Sequence, residues 1–204
     1  MRGQDDENRP YIGRRIGEIA EESGREPWDV LCDIAVADEL LTSFGNDPPP
    51  ESDDDWKARV DIWRDPRAVI GASDAGAHLD LLATFNYTTA LLGAAVRERQ
   101  LLSFEEAVHL LTAVPARLYG IVERGELQTG WHADVVVIDP STVASDDVGM
   151  RFDLPGGAGR LYAGAQGIDD VVVNGTAVVR DGDLTASRPG ALLRSGRDTR
   201  TPPL

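Results

Sequence analysis

Residues 69–80 read VIGASDAGAHLD, an apolar run that stops at Asp74 and is followed four residues later by His78. An aspartate with an ordinary pKa of about 3.9 is ionised at neutral pH, so it can take up a proton or ligate a cation. A histidine on the same loop can touch a substrate or brace the carboxylate through a hydrogen bond. The commoner use of an Asp at a strand end is as a helix cap or turn residue, and His78 has an equally plain structural reading. Asp80 is expected near the start of the following helix, where a carboxylate favours the exposed amides. His109 follows Glu105 by four residues, outside an apolar stripe, and His132 sits in a GWHAD turn. Both read as exposed or packing residues rather than ligands. The single cysteine, Cys32, lacks an internal disulfide partner and reads as a buried thiol.

The elements around these residues follow from periodicity. Residues 13–23 carry Ile16, Ile19 and Ala20 at helical spacing, with Gly24 placed to end the helix. Pro27 suits the first turn of a second helix ending near Leu41, with Trp28, Leu31, Cys32, Ala35, Val36 and Leu40 as its expected buried face. NDPPPESDDD predicts an exposed loop, after which Trp56, Val60 and Trp63 recur at helical spacing up to Pro66. AVIGA, residues 68–72, predicts a short strand buried on both faces, and Phe85, Thr88, Thr89, Leu92 and Val96 trace a long helix. Gly93 inside that helix costs about 1 kcal/mol relative to Ala unless close packing requires it. SFEE predicts a capping box of Ser103 and Glu106. Beyond Gly130 the chain turns strand-like: ADVVVIDP ends a β-branched run, Asn174-Gly175 predicts a hairpin, LPGGAGR a flexible loop, and the residues from Ser187 a poorly ordered polar tail.

The chain has 204 residues, 42% of them hydrophobic, and a net charge of −15. That charge argues against nucleic acid and anionic membranes as partners, because binding to either rests on cationic side chains. No apolar window reaches the roughly 18 residues of a spanning helix, and the opening MRGQDDENRP lacks a signal peptide's apolar centre. A cytoplasmic location is the resulting expectation.

A strand, an Asp and a helix make one βα unit, in which loops at the carboxyl ends of strands carry chemistry. Read in order, SDAGAHLD, SFEEAVHLLTAVPARLYG and ERGELQTGWHADVVVIDP closely resemble the N-acyl-D-amino acid deacylase (D-aminoacylase) group of the amidohydrolase superfamily. DLPGGAGRLYAGAQGIDDVVVNGTAVVRDGDLT resembles the closing strands of that group's small β domain. The resemblance implies an α/β fold. Residues 1–120 would be the last part of a metal-dependent hydrolase TIM barrel, 121–194 strands of a β-sandwich domain, and 195–204 a polar tail. It implies one or two zinc ions in the complete enzyme and places Asp74 at the end of the last barrel strand, as general base and candidate metal ligand. The implied reaction is hydrolysis of a linear carbon–nitrogen bond in a small N-acyl amino acid.

The superfamily's other ligands, an H-x-H pair, a bridging residue and two further histidines, have no counterpart among the three histidines of this sequence. A catalytic zinc takes about three protein ligands and keeps one position open, so the chain alone is not expected to retain zinc. A full barrel takes roughly 250 residues. The expectation is therefore a carboxyl-terminal portion that needs an amino-terminal barrel portion as partner and is inactive without it. Two alternatives stand beside it: a cyclic-amide hydrolase of the dihydroorotase or hydantoinase kind, and a non-catalytic remnant that serves as an interaction module.

Overall fold

Two short amphipathic helices organise the beginning of the chain in the computed structural model, which describes residues 8–42, 44–45 and 51–202. The opening heptapeptide and the Asn46–Pro50 part of the expected acidic loop lie outside those residues. Two compact units divide at Pro50/Glu51.

In the first unit, α1 (Ile16–Ser23) ends where Gly24 turns left-handed at φ 65° and caps the carbonyls of Ala20 and Glu21. Helix α2 (Pro27–Ala37) packs on it, burying Val30 and Ile34 against Ile19 and Ala20. The buried face is thus not the predicted one: Trp28 is 72% and Val36 70% exposed, and Cys32 is only half-buried. The helix is apolar on nearly every side, so periodicity does not single out the face that α1 selects. It also stops four residues early. Glu39 and Leu40 adopt positive φ, and the Leu40 amide closes back on the Ala35 carbonyl at 2.7 Å.

The second unit opens with α3 (Asp53–Arg64), so the acids expected in a loop form the first turn of a helix. Ser52 caps it: its Oγ accepts from the Asp55 amide at 3.2 Å, and the Asp55 carboxylate accepts the Ser52 amide at 2.8 Å. This capping box was legible as S-D-D-D but lay hidden beside the proline run. Trp56 and Trp63 meet edge to face, and Val60 enters the main core with Leu91, Leu92, Ala95, Leu102, Ala107 and Val143.

The AVIGA run is not a paired strand. No ladder engages residues 68–73, although Ile70 packs on the core. A parallel strand buried on both faces needs a neighbour on each edge to satisfy its backbone. No described segment supplies one.

The long helix forms in three pitches, a tight turn at Thr84–Asn86, an α turn at Tyr87–Ala90 and a widened π segment at Leu91–Glu98, together α4. Gly93 sits where a Cβ would come within 3.3 Å of the Ala144 Cα and the Val143 carbonyl, so the close packing expected there is present and a larger residue would press on its neighbours by a few tenths of an ångström. Helices α5 (Phe104–Leu111) and α6 (Ala113–Leu118) follow. Only half of the box predicted for α5 forms. Ser103 Oγ accepts the Glu106 amide at 3.1 Å, but the Glu106 carboxylate turns away to take two bonds from Arg64, at 2.7 and 2.9 Å. A charge-assisted fork outweighs one neutral amide.

Strands β1 (Val135–Ile138), β6 (Ile168–Val173), β7 (Thr176–Arg180) and β8 (Asp183–Leu184) form an antiparallel sheet in the order β1-β6-β7-β8. β2 (Ala144–Ser145) pairs with β5 (Ala165–Gln166), and β3 (Gly149–Arg151) with β4 (Arg160–Tyr162). The Asn174-Gly175 hairpin is present, with φ of 47° and 78°. Asp181-Gly182 makes a second turn of the same kind. The segment expected as a loose tail is instead tied down. Thr199 bridges Ile121, the Val122 amide donates to the Asp198 carbonyl at 3.0 Å, and the Arg200 amide donates to the Gly120 carbonyl at 2.8 Å. Backbone pairing, which composition does not reveal, holds it. No helix among the described residues is long and apolar enough to cross a membrane.

Candidate functional site

Residues 73–82 form a bare loop between α3 and α4. The Asp74 amide donates to Thr84 Oγ1 at 3.1 Å, which fastens the loop to the start of α4. The Ala77 amide donates to the Asp74 carbonyl at 3.2 Å, a turn made possible by Gly76 at φ 95°. Further on, the His78 carbonyl accepts from the Leu81 and Leu82 amides at 3.1 and 2.8 Å. The Leu79 carbonyl accepts from the Leu161 amide of β4 at 2.6 Å. The backbone is therefore anchored on both sides while the side chains are left free. Asp74, His78 and Asp80 are all exposed, and among the described residues none of the three has a side-chain partner.

This arrangement brings Asp74 and His78 onto one loop, as the spacing predicts, while the other histidines belong to other elements. His109 lies exposed in the last turn of α5, and His132 lies exposed ahead of β1, its amide on the Glu123 carbonyl at 3.1 Å. Asp80 lies in the turn that precedes α4 rather than in the helix itself. Among the described residues no group of three His, Cys, Asp or Glu side chains could hold a metal ion. Sequence reasoning missed Thr84, whose hydroxyl positions the Asp74 backbone, and the contact of β4 with Leu79. Thr84 was findable as a hydroxyl ahead of a helical stripe; the contact with β4 carries no local signal.

A second feature is a cavity of about 860 Å³ between the helices and the four-stranded sheet, lined by Leu92, Phe104, Leu111, Ile138, Ile168 and Val172 among others. No residue of the 73–82 loop lines it, so its size says nothing about the chemistry there. Arg124 and Asp134 in its lining belong to a polar clasp. Arg124 pairs with Asp134 and donates to Asn174 Oδ1 at 2.7 Å, the Asn174 amide donates to Asp134 at 2.9 Å, and Asn174 Nδ2 donates to the Pro189 carbonyl at 2.7 Å. Burial works against ionising Asp134, but the Asn174 amide and Arg124 outweigh it and hold the carboxyl below its ordinary pKa.

The sequence profile of the amidohydrolase family matches residues 4–179. The chain belongs to the amidohydrolase family. Among relatives of this amidohydrolase chain, an N-acyl-D-aspartate deacylase of Alcaligenes xylosoxydans xylosoxydans is 38% identical over 140 residues, 66% of this chain and 26% of the relative. A D-aminoacylase of the same organism is 31% identical over 185 residues, 89% of this chain and 34% of the relative. The crystal structure of an N-acyl-D-glutamate deacylase from Bordetella bronchiseptica, complexed with zinc and a phosphonate mimic of the tetrahedral intermediate, superposes with a TM-score of 0.52 and 31% identity. That superposition covers 92% of this chain and 36% of that one. The chain thus spans between about a quarter and just over a third of the length of these relatives.

Proposed function

We propose that this amidohydrolase chain carries the general base of a deacylase that hydrolyses the amide of N-acyl-D-amino acids. The observation that supports this reading is the Asp74 loop: an anchored backbone presents an unpartnered, exposed carboxylate, at the residue to which the resemblance of SDAGAH to the deacylase group assigns the general base. An ionised Asp74 accepts a proton from water as the water oxygen attacks the amide carbonyl carbon. It then returns that proton to the nitrogen as the carbon–nitrogen bond breaks, leaving a carboxylic acid and a free amine. His78, one residue beyond the Asp74–Ala77 turn, is the neighbour that touches substrate or steadies the carboxylate.

Zinc belongs to this reading only for a complete assembly. The residues present here do not make a zinc site, since no three candidate ligands converge among the described residues, and no step of the reaction above is assigned to a metal. In the assembled enzyme Asp74 would add one oxygen to ligands contributed by an amino-terminal barrel portion. The division into a barrel part up to residue 120 and a β part beyond it belongs to the same proposal, as do the TIM-barrel and sandwich architectures.

The lack of converging ligands also favours a second reading, a non-catalytic interaction module. The test is to co-express the 204-residue chain with an amino-terminal barrel portion of a relative and to supply N-acyl-D-amino acids alongside cyclic ureides. Release of amine from the linear substrates, lost in Asp74→Asn, supports the deacylase. Turnover of the ureides alone points to a cyclic-amide hydrolase, and no turnover with a stable complex points to the module. Elemental analysis of the chain alone gives an independent check: a tightly held zinc per chain would overturn the view that its ligands lie elsewhere.

A further inference from the structure

Asn174-Gly175 makes the turn between β6 and β7, and the same dipeptide carries a chemistry that the deacylase reading does not use. A carboxamide followed by glycine can cyclise, which is one reason asparagine counts as a thermolabile residue. The Gly175 backbone nitrogen attacks the Asn174 side-chain carbonyl carbon, and a new carbon–nitrogen bond forms. The bond to Nδ2 breaks, and Nδ2 leaves as ammonia with the proton that the Gly175 nitrogen gives up. Water then opens the succinimide ring at either carbonyl, leaving aspartate or isoaspartate. No oxidant or reductant takes part, and water is the only co-reactant. Glycine favours the attack because it has no Cβ to shield its nitrogen. Around Gly175 a Cβ would meet nothing within 4 Å, and Gly175 and Thr176 are both exposed to water.

Each group that must move in that reaction is held in the folded chain. The Gly175 amide donates to the Ala133 carbonyl at 2.9 Å, a bond it has to give up before its nitrogen can attack. Asn174 Nδ2 donates to the Pro189 carbonyl at 2.7 Å, and Asn174 Oδ1 accepts from Arg124 at 2.7 Å. Bonds at both ends of the carboxamide oppose the rotation that would bring its carbon onto the Gly175 nitrogen. The Asn174 amide donates to Asp134 at 2.9 Å, which holds the backbone at its φ of 47°. These partners come from residues 124, 133–134 and 189, so the protection is tertiary and an isolated hairpin segment lacks it. The other described asparagines, Asn8 and Asn86, precede Arg9 and Tyr87, whose side chains shield the nitrogen.

We infer that Asn174 is a modification site gated by the clasp: it deamidates when Arg124, Asp134 and Asn174 separate, and its product keeps the clasp from closing again. Aspartate at this position has no N–H for the Pro189 carbonyl and sets a second carboxylate beside Asp134. Isoaspartate routes the main chain through an extra carbon inside a turn whose flanking pair is Val173 and Thr176, so the register of β6 on β7 cannot be kept. The turn thus makes a one-way record of its own opening.

The experiment incubates the 204-residue chain in mildly alkaline buffer beside the free peptide of residues 169–181 and follows ammonia loss at residue 174 by mass spectrometry of digests. Hydrogen exchange of the Gly175 amide, read on the same samples, reports opening. The peptide should react at least about ten-fold faster than the folded chain, in which only the open fraction can react. Arg124→Gln should raise the rate by the factor by which it raises Gly175 exchange. Urea added below the unfolding transition of the unaltered chain makes the same comparison without a substitution. Asn174→Asp, which makes one product directly, should lower the denaturation midpoint. Equal rates in chain and peptide, an unreactive peptide, or a rate that stays constant while Gly175 exchange rises would overturn the gate. A native midpoint in Asn174→Asp would overturn the claim that the product holds the clasp open. None of these readouts depends on amide hydrolysis, so they stand apart from the deacylase reading.

Discussion

The loop at residues 73–82 and the clasp formed by Arg124, Asp134 and Asn174 treat polar side chains in opposite ways. In the clasp, carboxylate, guanidinium and amide are matched to one another and to backbone, and the group is partly buried between the helices and the β-hairpin. In the loop, only the backbone is satisfied, and Asp74, His78 and Asp80 face solvent unpaired. A polar group paired inside the protein contributes to the fold and has nothing left to offer a substrate. An unpaired one contributes almost nothing to the fold and remains available for chemistry. Under the proposed function, stability and reactivity fall to different carboxylates of one chain.

The comparison is most easily broken at Asp74. Asp74→Asn should lower amide hydrolysis by the assembled enzyme by about 10²–10⁴-fold, while denaturant unfolding of the chain moves by no more than about 0.5 kcal/mol. A large loss of stability would mean that Asp74 is a turn residue after all. Asp134→Ala should do the reverse and cost about 2–3 kcal/mol in the same unfolding measurement, because Arg124 and the Asn174 amide lose a charged partner. The clasp also carries a pH signature. The Asp134 carboxyl is depressed in the folded state, so as pH falls below about 4 the unfolded chain takes up the proton first. The clasp's contribution, full above that range, should be lost as pH descends through the folded-state value, and Asp134→Asn should flatten the acid limb of a stability–pH profile.

Smaller effects sharpen the contrast by testing contacts that are neither clasp nor loop. Gly120→Ala would drive a Cβ to 1.7 Å from the Arg200 carbonyl at a φ of 62°, so the closing segment must detach. A loss of about 1–3 kcal/mol with faster amide exchange at Val122 and Arg200 is expected. Ser52→Ala removes the α3 cap and should cost about 1 kcal/mol, read as a shift in denaturation midpoint. There the Asp55 carboxylate, held below its usual range by the Ser52 hydroxyl and amide, shows an exposed acid whose work is purely local.

Much of the local structure was legible in the residues. Gly24 marked the end of α1, Asn174-Gly175 the hairpin, and Ser103 the start of α5, because each acts through atoms within a few positions of itself. For the candidate site, an acid closing an apolar run, with a histidine four residues on, singled out Asp74 and His78, and the structure places both on one exposed loop. The misreadings share a cause. The buried side of α2 depends on α1, Glu106 leaves its own helix for Arg64 forty-two residues away, and the segment at 198–200 pairs with residues 120–122. The AVIGA run has the composition of a two-sided strand but no described neighbours to pair with it.

By itself the sequence determined which residues could cap, turn, pack or ionise, since those properties belong to side-chain chemistry and short-range sterics. It also carried the family, through segments whose order and spacing survive without any fold being built. Only the tertiary structure decided which charged groups are neutralised and which stay free. It paired Arg160 with Asp153 and stacked Arg151 on Tyr162, and it matched Asp134 to Arg124 while leaving Asp74 open. Those outcomes turn on distances between residues far apart in the chain, because hydrogen bonds fall away within a few ångströms and exposed charges are screened over about 10 Å.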